Sequence, residues 1–510
     1  MPDVPLPFQP GADFKLPYNC HVEASSFKAA NGNDQTTPSF PPGPPKLPII
    51  GNLHQLIAKH PHEAMSQLSK IYGPVMLIQY GRVPTVVISS AEAAEQVFKT
   101  YDTAFCNRVQ LAGRKQLSYN YVDMALAPFG EYWREIRKIC ILELFTKKRV
   151  QSFTLVRAEE VDVLIDSISS YSSNATSVNV FEKFTSFAHR TICRIAFGST
   201  SGESWDRFDN GSLTKLLCEV AALTSLSASD FFPKASWIID RITGIHGKTK
   251  KCFHDLDNFL QQILDEHDNS ERVKLENEDI IDVLLKLKKA QLTTIRLTND
   301  HIKAIVLNVY LGGVDTPAEV ITWVMAELVK HPKVMKKVQE EIRSYVGSKG
   351  EVEESDLDNF QYLKMVVKET LRLHPAFPLL ARESIKHCKI EGYDIYPNTW
   401  VLINTWELGR NPEYWPNPEE FLPERFKDSS IDFVQNQNFE YMPFGGGRRI
   451  CPALNMGIVL TELVLANVLY AFNWELPEGL KSEDLNMEES SGSRYALELV
   501  PIKHVVGKSD

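Results

Sequence analysis

Phe444-Gly445-Gly446-Gly447-Arg448-Arg449-Ile450-Cys451-Pro452 is the stretch on which the reading of the whole chain turns. Three glycines let backbone N–H groups come close to a following sulfur. Free cysteine is mostly protonated at neutral pH, so a thiolate that ligates a metal needs its charge stabilised. Pro452 suits the first position of a helix, where its missing N–H costs no bond. The loop therefore predicts a helix from Pro452 to about Ala471, with the Cys451 sulfur at its positive end. Arg449 supplies a cation for an acidic group brought by whatever the thiolate holds. The plain alternative is a glycine-rich turn with an incidental buried cysteine. A phosphate loop is excluded, because the order does not fit GxxxxGK[ST] and no lysine follows the glycines.

The rest of the chain bounds what this loop serves. Its 510 residues, 43% hydrophobic and 24% charged, can build a large core. A net charge of -10 argues against broad nucleic-acid binding, and no nucleic-acid partner is expected. The eight cysteines, at 20, 106, 140, 193, 218, 252, 388 and 451, contain no CxxC pair; a reducing compartment and mostly buried thiols are expected. No transmembrane anchor is visible, since the apolar runs Ala304–Val314 and Met456–Phe472 read as buried core helices. Residues 1–38 lack the basic start and apolar middle of a signal peptide and read as disordered. Residues 1–40 are thus a disordered segment with the start of the proline hinge Pro41–Pro45, and 41–510 a single domain.

Strands are expected at Val75–Tyr80, Thr85–Ser89, Trp474–Leu476 and Ala496–Pro501, joined in the first pair through Gly81-Arg82-Val83-Pro84. Between Ala91 and Ile192 the pattern is mostly helical, with later interruptions at Asp230–Pro233 and Gly244–Gly247 and a polar loop at His267–Glu278. Thr298 caps a long helix over Asn299–Lys330, and another runs from Tyr362 to Leu373. Residues from Pro375 to Pro443 read as irregular. The fold class is mainly α with a minor β-sheet.

Within the long helix, Gly312-Gly313-Val314-Asp315-Thr316-Pro317 carries two interior glycines, each costing about 1 kcal/mol relative to alanine. The Pro317 ring clashes with the carbonyl of Gly313 and leaves it without a donor. The helix should break there into a polar notch.

Four further motifs fall in order around the loop. Glu369-Thr370-Leu371-Arg372 puts an acid and a base at i and i+3 on one helix face. Pro423-Glu424-Arg425-Phe426 follows, Trp133-Arg134-Glu135-Ile136-Arg137 lies upstream, and Arg382 follows Pro378-Leu379-Leu380-Ala381. Together they resemble the cytochrome P450 family, in its plant microsomal (A-type) branch. The cysteine loop resembles that family's FxxGxRxCxG signature at Phe444, Gly447, Arg449 and Cys451, with Ala453 in place of the last glycine. The likeness covers roughly residues 41–505.

The resemblance implies a haem-thiolate monooxygenase holding haem b (iron protoporphyrin IX), with Cys451 as the metal ligand. Trp133, Arg137, Arg382, Phe444, Gly447 and Arg449 would bind the cofactor. Glu369, Arg372 and Arg425 would form a structural lock behind it. Thr316 would donate a hydrogen bond to dioxygen and Asp315 would relay protons; Pro317, where the family has Ser or Thr, puts the water chain in question. Substrate would meet the segments Arg108–Leu126, Leu223–Phe232, Asn308–Val314, Ala376–Leu380 and Ser490–Arg494. Val309, Gly312, Val314, Ala376, Phe377, Leu379 and Leu380 would line the pocket, with Arg494 at the far hairpin. The implied substrate is a small apolar plant metabolite such as a terpenoid, an alkaloid or a phenolic. O2 is the co-substrate, and NADPH-cytochrome P450 reductase delivers electrons to a basic patch at Arg134, Lys138 and Arg448. The implied location is the cytosolic face of the endoplasmic reticulum, against the membrane surface. The rival readings are an isomerase or dehydratase of the same family that needs no O2, and a non-enzymatic haem-binding protein.

Overall fold

Buried apolar stripes dictate most of the architecture, and in the computed structural model they close around one long pair of helices. The model describes residues 38–510 apart from 57–59, 199–211, 270–277, 292, 434–436, 486, 488–496 and 505–510. Cys20, Arg494 and most of the polar loop at 267–278 lie outside the described residues. In chain order the helices that position the site are α1 (Glu131–Leu144), α2 (Val180–Phe197), α3 (Ser212–Thr224), α4 (Ser236–Thr243), α5 (Asn299–Gly313), α6 (Asp315–Lys330), α7 (Gln361–Leu373) and α8 (Leu454–Ala471). The α5–α6 pair and α8 are apolar and long enough to cross a membrane by composition. Yet 61% and 67% of their most apolar stretches are buried inside the fold, which is what core helices require.

The helix expected over Asn299–Lys330 breaks at Val314, between α5 and α6, one turn before Pro317. Thr298 caps α5 by accepting the His301 N–H. The two glycines at the break differ in purpose. A Cβ on Gly313 would meet the Ile192 Cδ1 of α2 at 2.7 Å, so a larger residue would have to displace that side chain. A Cβ on Gly312 would meet open space.

Strands β1 (Val75–Tyr80) and β2 (Val83–Ile88) form an antiparallel pair through Gly81-Arg82 alone. The expected four-residue connection was too long. Pro84 sits within β2, but pairing of β2 with its other neighbour begins only at Thr85, so its missing N–H removes no bond there. The region read as irregular contains β4 (Leu379–Glu383), β5 (Cys388–Ile390), β6 (Tyr393–Ile395) and β7 (Trp400–Asn404). The main sheet runs β1-β2-β7-β4. All five residues of β7 are buried, so no alternation advertises it. The β5–β6 turn carries positive φ at both Glu391 (48°) and Gly392 (83°), a hairpin turn in which glutamate hides the usual Asn-Gly signal. A short β3 (Val178–Asn179) joins β9 (Glu498–Lys503) and β8 (Phe472–Glu475), β9 starting two residues later and β8 two residues earlier than expected.

Helix α8 begins at Leu454, not Pro452: Pro452 and Ala453 form a turn ahead of it. The cysteine is therefore three residues from the first helical position.

The ends of α6 and α7 are pinned by a buried polar group. His374 and Glu327, both 5% exposed or less, meet at 2.7 Å, His331 joins Glu327 at 3.2 Å, and the Trp323 ring stacks on His374 at 4.1 Å. Burial alone would raise the Glu327 carboxyl, but the bonds to His331 and His374 outweigh it and hold it at about 2. A carboxyl depressed from 4.5 to about 2 contributes stability above pH 4.5 that is lost as pH falls through its folded value. The melting temperature should therefore drop between about pH 4.5 and 2, and Glu327→Gln should lower stability at pH 7 and flatten that acid limb. Superimposable acid limbs for the two proteins would remove Glu327 from the account.

Candidate haem-binding site

The cysteine loop is held by its own backbone. Gly445 N–H donates to the Met442 carbonyl at 3.0 Å, Ile450 N–H to Gly447 at 3.1 Å, and Cys451 N–H to Phe444 at 3.0 Å. Gly447 has φ +65° and no room for a Cβ, which would lie 2.5 Å from Asp102 Oδ1 and 3.0 Å from the Phe98 carbonyl. Ala453 has φ -102°, an ordinary conformation that asks for no glycine. The Phe444 ring packs on Phe433 at 5.1 Å between centroids.

Cys451 is partly buried, and its thiol is pushed above the ordinary value. Apolar surroundings dominate; the Ala453 N–H and the Arg137 charge only partly oppose them. The expected helix-end stabilisation of the thiolate is thus outweighed by desolvation. A metal ion displaces that proton outright, since a coordinating thiol binds as the thiolate.

Four guanidiniums converge beside the loop. Arg449 is 5% exposed and donates to the carbonyls of Cys106 (2.9 Å), Ala125 (3.3 Å) and Ala127 (2.5 Å). Arg137 of α1 donates to Ile450 O at 2.6 Å. Arg382 of β4, 2% exposed, reaches the carbonyls of Ala381 at 3.1 Å and Gly446 at 3.5 Å. Arg108 reaches the same Ala381 carbonyl at 3.3 Å. None of the four forms an ion pair among the described residues. Burial and then mutual repulsion lower the pKa values of three of them, Arg108 to about 10, Arg449 to about 9 and Arg382 well below its normal value, while Arg137 is lowered by burial alone. Two buried carboxylates lie close by among the described residues: Asp102, which pairs with exposed Arg448 rather than with any of the four, and Asp123, which is itself raised to about 6 by burial, against the opposing Leu126 N–H and Asn308 side chain. A cluster of buried and half-buried cations that form no ion pair among the described residues fits a dianionic cofactor, such as haem with its two propionates. The Trp133 indole stacks near two of these cations, 4.1 Å from Arg449 and 5.5 Å from Arg137, and its N–H donates to Met124 O at 3.0 Å.

Behind the loop, Glu369 is fully buried and accepts both Arg372 Nε and Nη2 at 2.8 Å, Arg425 Nε at 2.9 Å and Leu422 N–H at 2.8 Å. Arg372 and Arg425 then bind the carbonyls of Gly409, Pro416, Asn417, Pro418 and Glu420. One carboxylate therefore fixes the whole irregular approach to the cysteine loop.

The other expected residues divide by face. Thr316 Oγ donates to the Gly312 carbonyl at 2.7 Å, one turn back on the same face. Asp315 is exposed and shares the opposite side with Leu311. Val314 also lies on that outer side, and Val309 sits in the buried core. Leu380 shares the cysteine-loop face of β4 with Arg382, 3.9 Å from the Cβ position of Gly445. Leu379 faces the opposite way, against the β1–β2 side. Ala376 is half-buried and Phe377 is 58% exposed, an open apolar ring after a buried segment. Arg108 was missed as a cofactor residue because a lone arginine in a loop carries no spacing signal.

The cytochrome P450 family profile matches residues 41–498. Among similar curated proteins, cytochrome P450 71B10 of Arabidopsis thaliana is 48% identical over 477 residues, covering 91% of this chain and 94% of that protein. From the same plant, cytochrome P450 71B36 is 47% identical, covering 91% and 93%, and cytochrome P450 71B26 is 48% identical over the same shares.

If Arg108 faces a propionate, Arg108→Gln should shift two quantities in opposite directions. Loss of haem to apomyoglobin should quicken by about 10- to 100-fold, the equivalent of one charged hydrogen bond, while the haem-free protein should melt higher, one repelling cation having gone. Slower or unchanged haem loss would place Arg108 outside the cofactor site.

Proposed function

The chain belongs to the cytochrome P450 family and is a haem b monooxygenase; from that premise we propose that it inserts one oxygen atom from O2 into a small apolar plant specialised metabolite, a terpenoid, an alkaloid or a phenolic. Electrons come from NADPH through NADPH-cytochrome P450 reductase, and residues 41–510 act as one domain. The observation that carries this reading is the cluster of four guanidiniums beside the Cys451 loop, Arg382 and Arg449 buried and Arg108 and Arg137 half-buried, none in an ion pair among the described residues.

Haem, when bound, supplies O2 binding and activation. Cys451 would offer the sulfur ligand, and Arg108, Arg137, Arg382 and Arg449 would hold the propionates, with Trp133 and Phe444 beside them and Gly447 keeping the loop close. Glu369, Arg372 and Arg425 keep the loop in place. On the opposite side, the break before Asp315 frees the backbone to admit a small ligand at Gly312. Thr316 Oγ holds a proton beside it, and the Asp315 carboxylate replenishes that proton. Ala376 and Phe377 offer apolar surface, whose burial by substrate contributes about 25 cal/mol per Å², and Leu379 and Leu380 add to it from opposite faces of β4. An isomerase, dehydratase or passive haem carrier has no use for an acid and a hydroxyl poised at a helix break.

Arg134 and Lys138, exposed one turn apart on α1, and exposed Arg448 present positive charge near the loop, suited to an acidic redox partner; Arg448 also pairs with Asp102. The membrane-facing side is read from a different surface. Trp237, Ile238 and Ile242 of α4 are exposed, as are Leu47, Ile49 and Ile50. The two groups flank one turn: Gly81 N–H donates to Ile50 O and Arg82 N–H to Phe231 O. With Lys46, Arg82, Lys234 and Arg241 exposed around them, they form a surface for an anionic bilayer, consistent with the cytosolic face of the endoplasmic reticulum.

Thr316→Ala tests the oxygen chemistry. The variant should bind haem and consume NADPH as before, with more of the reducing power released as peroxide. An unchanged peroxide yield per NADPH would take Thr316 out of the mechanism.

A further inference from the structure

Beside the cysteine loop, a cleft of about 1090 Å³ is walled by the first halves of α7 and α8, the short helix Lys147–Ser152, the turn Glu354–Asn359 and the loop from Phe426 to Phe433. Its lining is apolar at Leu357, Met365, Ile458 and Val459, and carries the rings of Phe426 and Phe433. Of the charged groups that line it, Glu462 of α8 is the buried one, at 7% exposed. Its carboxyl has no hydrogen-bond or ion-pair partner among the described residues. A buried carboxyl carries its charge at low cost only with a partner. Burial accordingly pushes the Glu462 pKa up to about 7, with Lys364 and Lys368 opposing the rise and Asp358 reinforcing it.

The surrounding charges are engaged with one another or with water. Lys364 pairs with Asp358 at 3.3 Å and Lys368 with Asp432 at 3.8 Å. Arg157 holds Glu354 at 2.7 Å. Lys147, Lys427 and Asp428 are exposed at the rim. Positive charge is thus answered at the edge, while the negative charge inside is not. Lys368 also lies 5.9 Å from the centre of both the Phe426 and the Phe433 ring, so these two rings already face a cation.

We propose that this cleft binds an organic cation with an apolar body, such as an aliphatic or aromatic amine, whose ammonium head pairs with Glu462 while its hydrocarbon lies along Ile458, Val459 and the two phenylalanine rings. A cation supplies the partner that the carboxyl lacks. An anion would meet Glu462 where both are desolvated, and a neutral hydrocarbon would leave the carboxyl stranded. None of the lining residues belongs to the segments assigned above to substrate, so the occupant is a second ligand. It would touch the haem side of the fold through Phe433, whose ring packs on Phe444 of the cysteine loop at 5.1 Å.

Hexyltrimethylammonium tests this on the holoenzyme, because its charge is permanent and it has no lone pair to offer iron. Titration calorimetry should find a site whose affinity is about tenfold weaker at pH 6 than at pH 8, as a carboxyl that titrates at about 7 requires. The sign follows from the ionised form being the one that binds: affinity rises with pH through that value and levels off above it. Glu462→Gln keeps the side chain's shape and removes its charge. It should weaken binding at pH 8 by about tenfold or more, the value of one lost charged contact, and abolish the pH dependence. Octanoate, of similar length and opposite charge, should not displace the probe. The pH dependence is read on the parent protein, so the test stands even if the variant folds poorly. Absence of any site with this dependence on pH would overturn the proposal, as would equal binding by a folded Glu462→Gln protein or displacement of the probe by octanoate.

Discussion

Buried positive charge without a carboxylate partner is the constraint on which the rest depends. Leaving one charge of a buried pair unmatched costs about 3–5 kcal/mol, and here four guanidiniums crowd together, bonded to backbone carbonyls. Those carbonyls fix where each cation points but do not neutralise it. The cost is recovered when two propionates arrive, so the same feature that strains the empty site gives it affinity and orientation for haem. The thiol follows the same rule: desolvation opposes its ionisation until a metal takes the place of the proton.

Everything behind the loop then works as scaffolding. Glu369 ties α7 to a long irregular segment by two arginines whose remaining donors are used on five backbone carbonyls. The Glu327–His374–Trp323 group locks α7 to α6, and α6 starts at the break that carries Asp315 and Thr316. The proximal and distal sides of the site are thereby connected through α7, the buried Glu327–His374 contact and the length of α6.

The parts legible in the sequence are those with a local spacing: the glycine–arginine–cysteine loop, the acid and base of Glu369 and Arg372 at i and i+3, the cap at Thr298, and the Gly-Gly-Pro break. What escaped depends on distance. Arg108 joins the cluster only once β4 and α1 are assembled around it. Glu327 and His374 lie 47 residues apart. The β5–β6 hairpin was hidden by a glutamate at positive φ, and β7 by burial on both faces. Pro452 was placed in α8 on its preference for a first turn, yet the chain uses it in the turn before. Strand alternation in β4 likewise separates Leu379 from Leu380, which stand side by side in the sequence.

The central claim is that Cys451, and no other cysteine, supplies a thiolate to iron. The direct measurement is the absorption spectrum of the reduced, carbon monoxide-treated haem protein, compared with Cys451→His and with Ser replacements of the remaining cysteines one at a time. The account predicts the red-shifted Soret band of thiolate ligation in the parent and in every other cysteine variant, and its loss in Cys451→His. A Cys451→Ser protein that kept that band would contradict it.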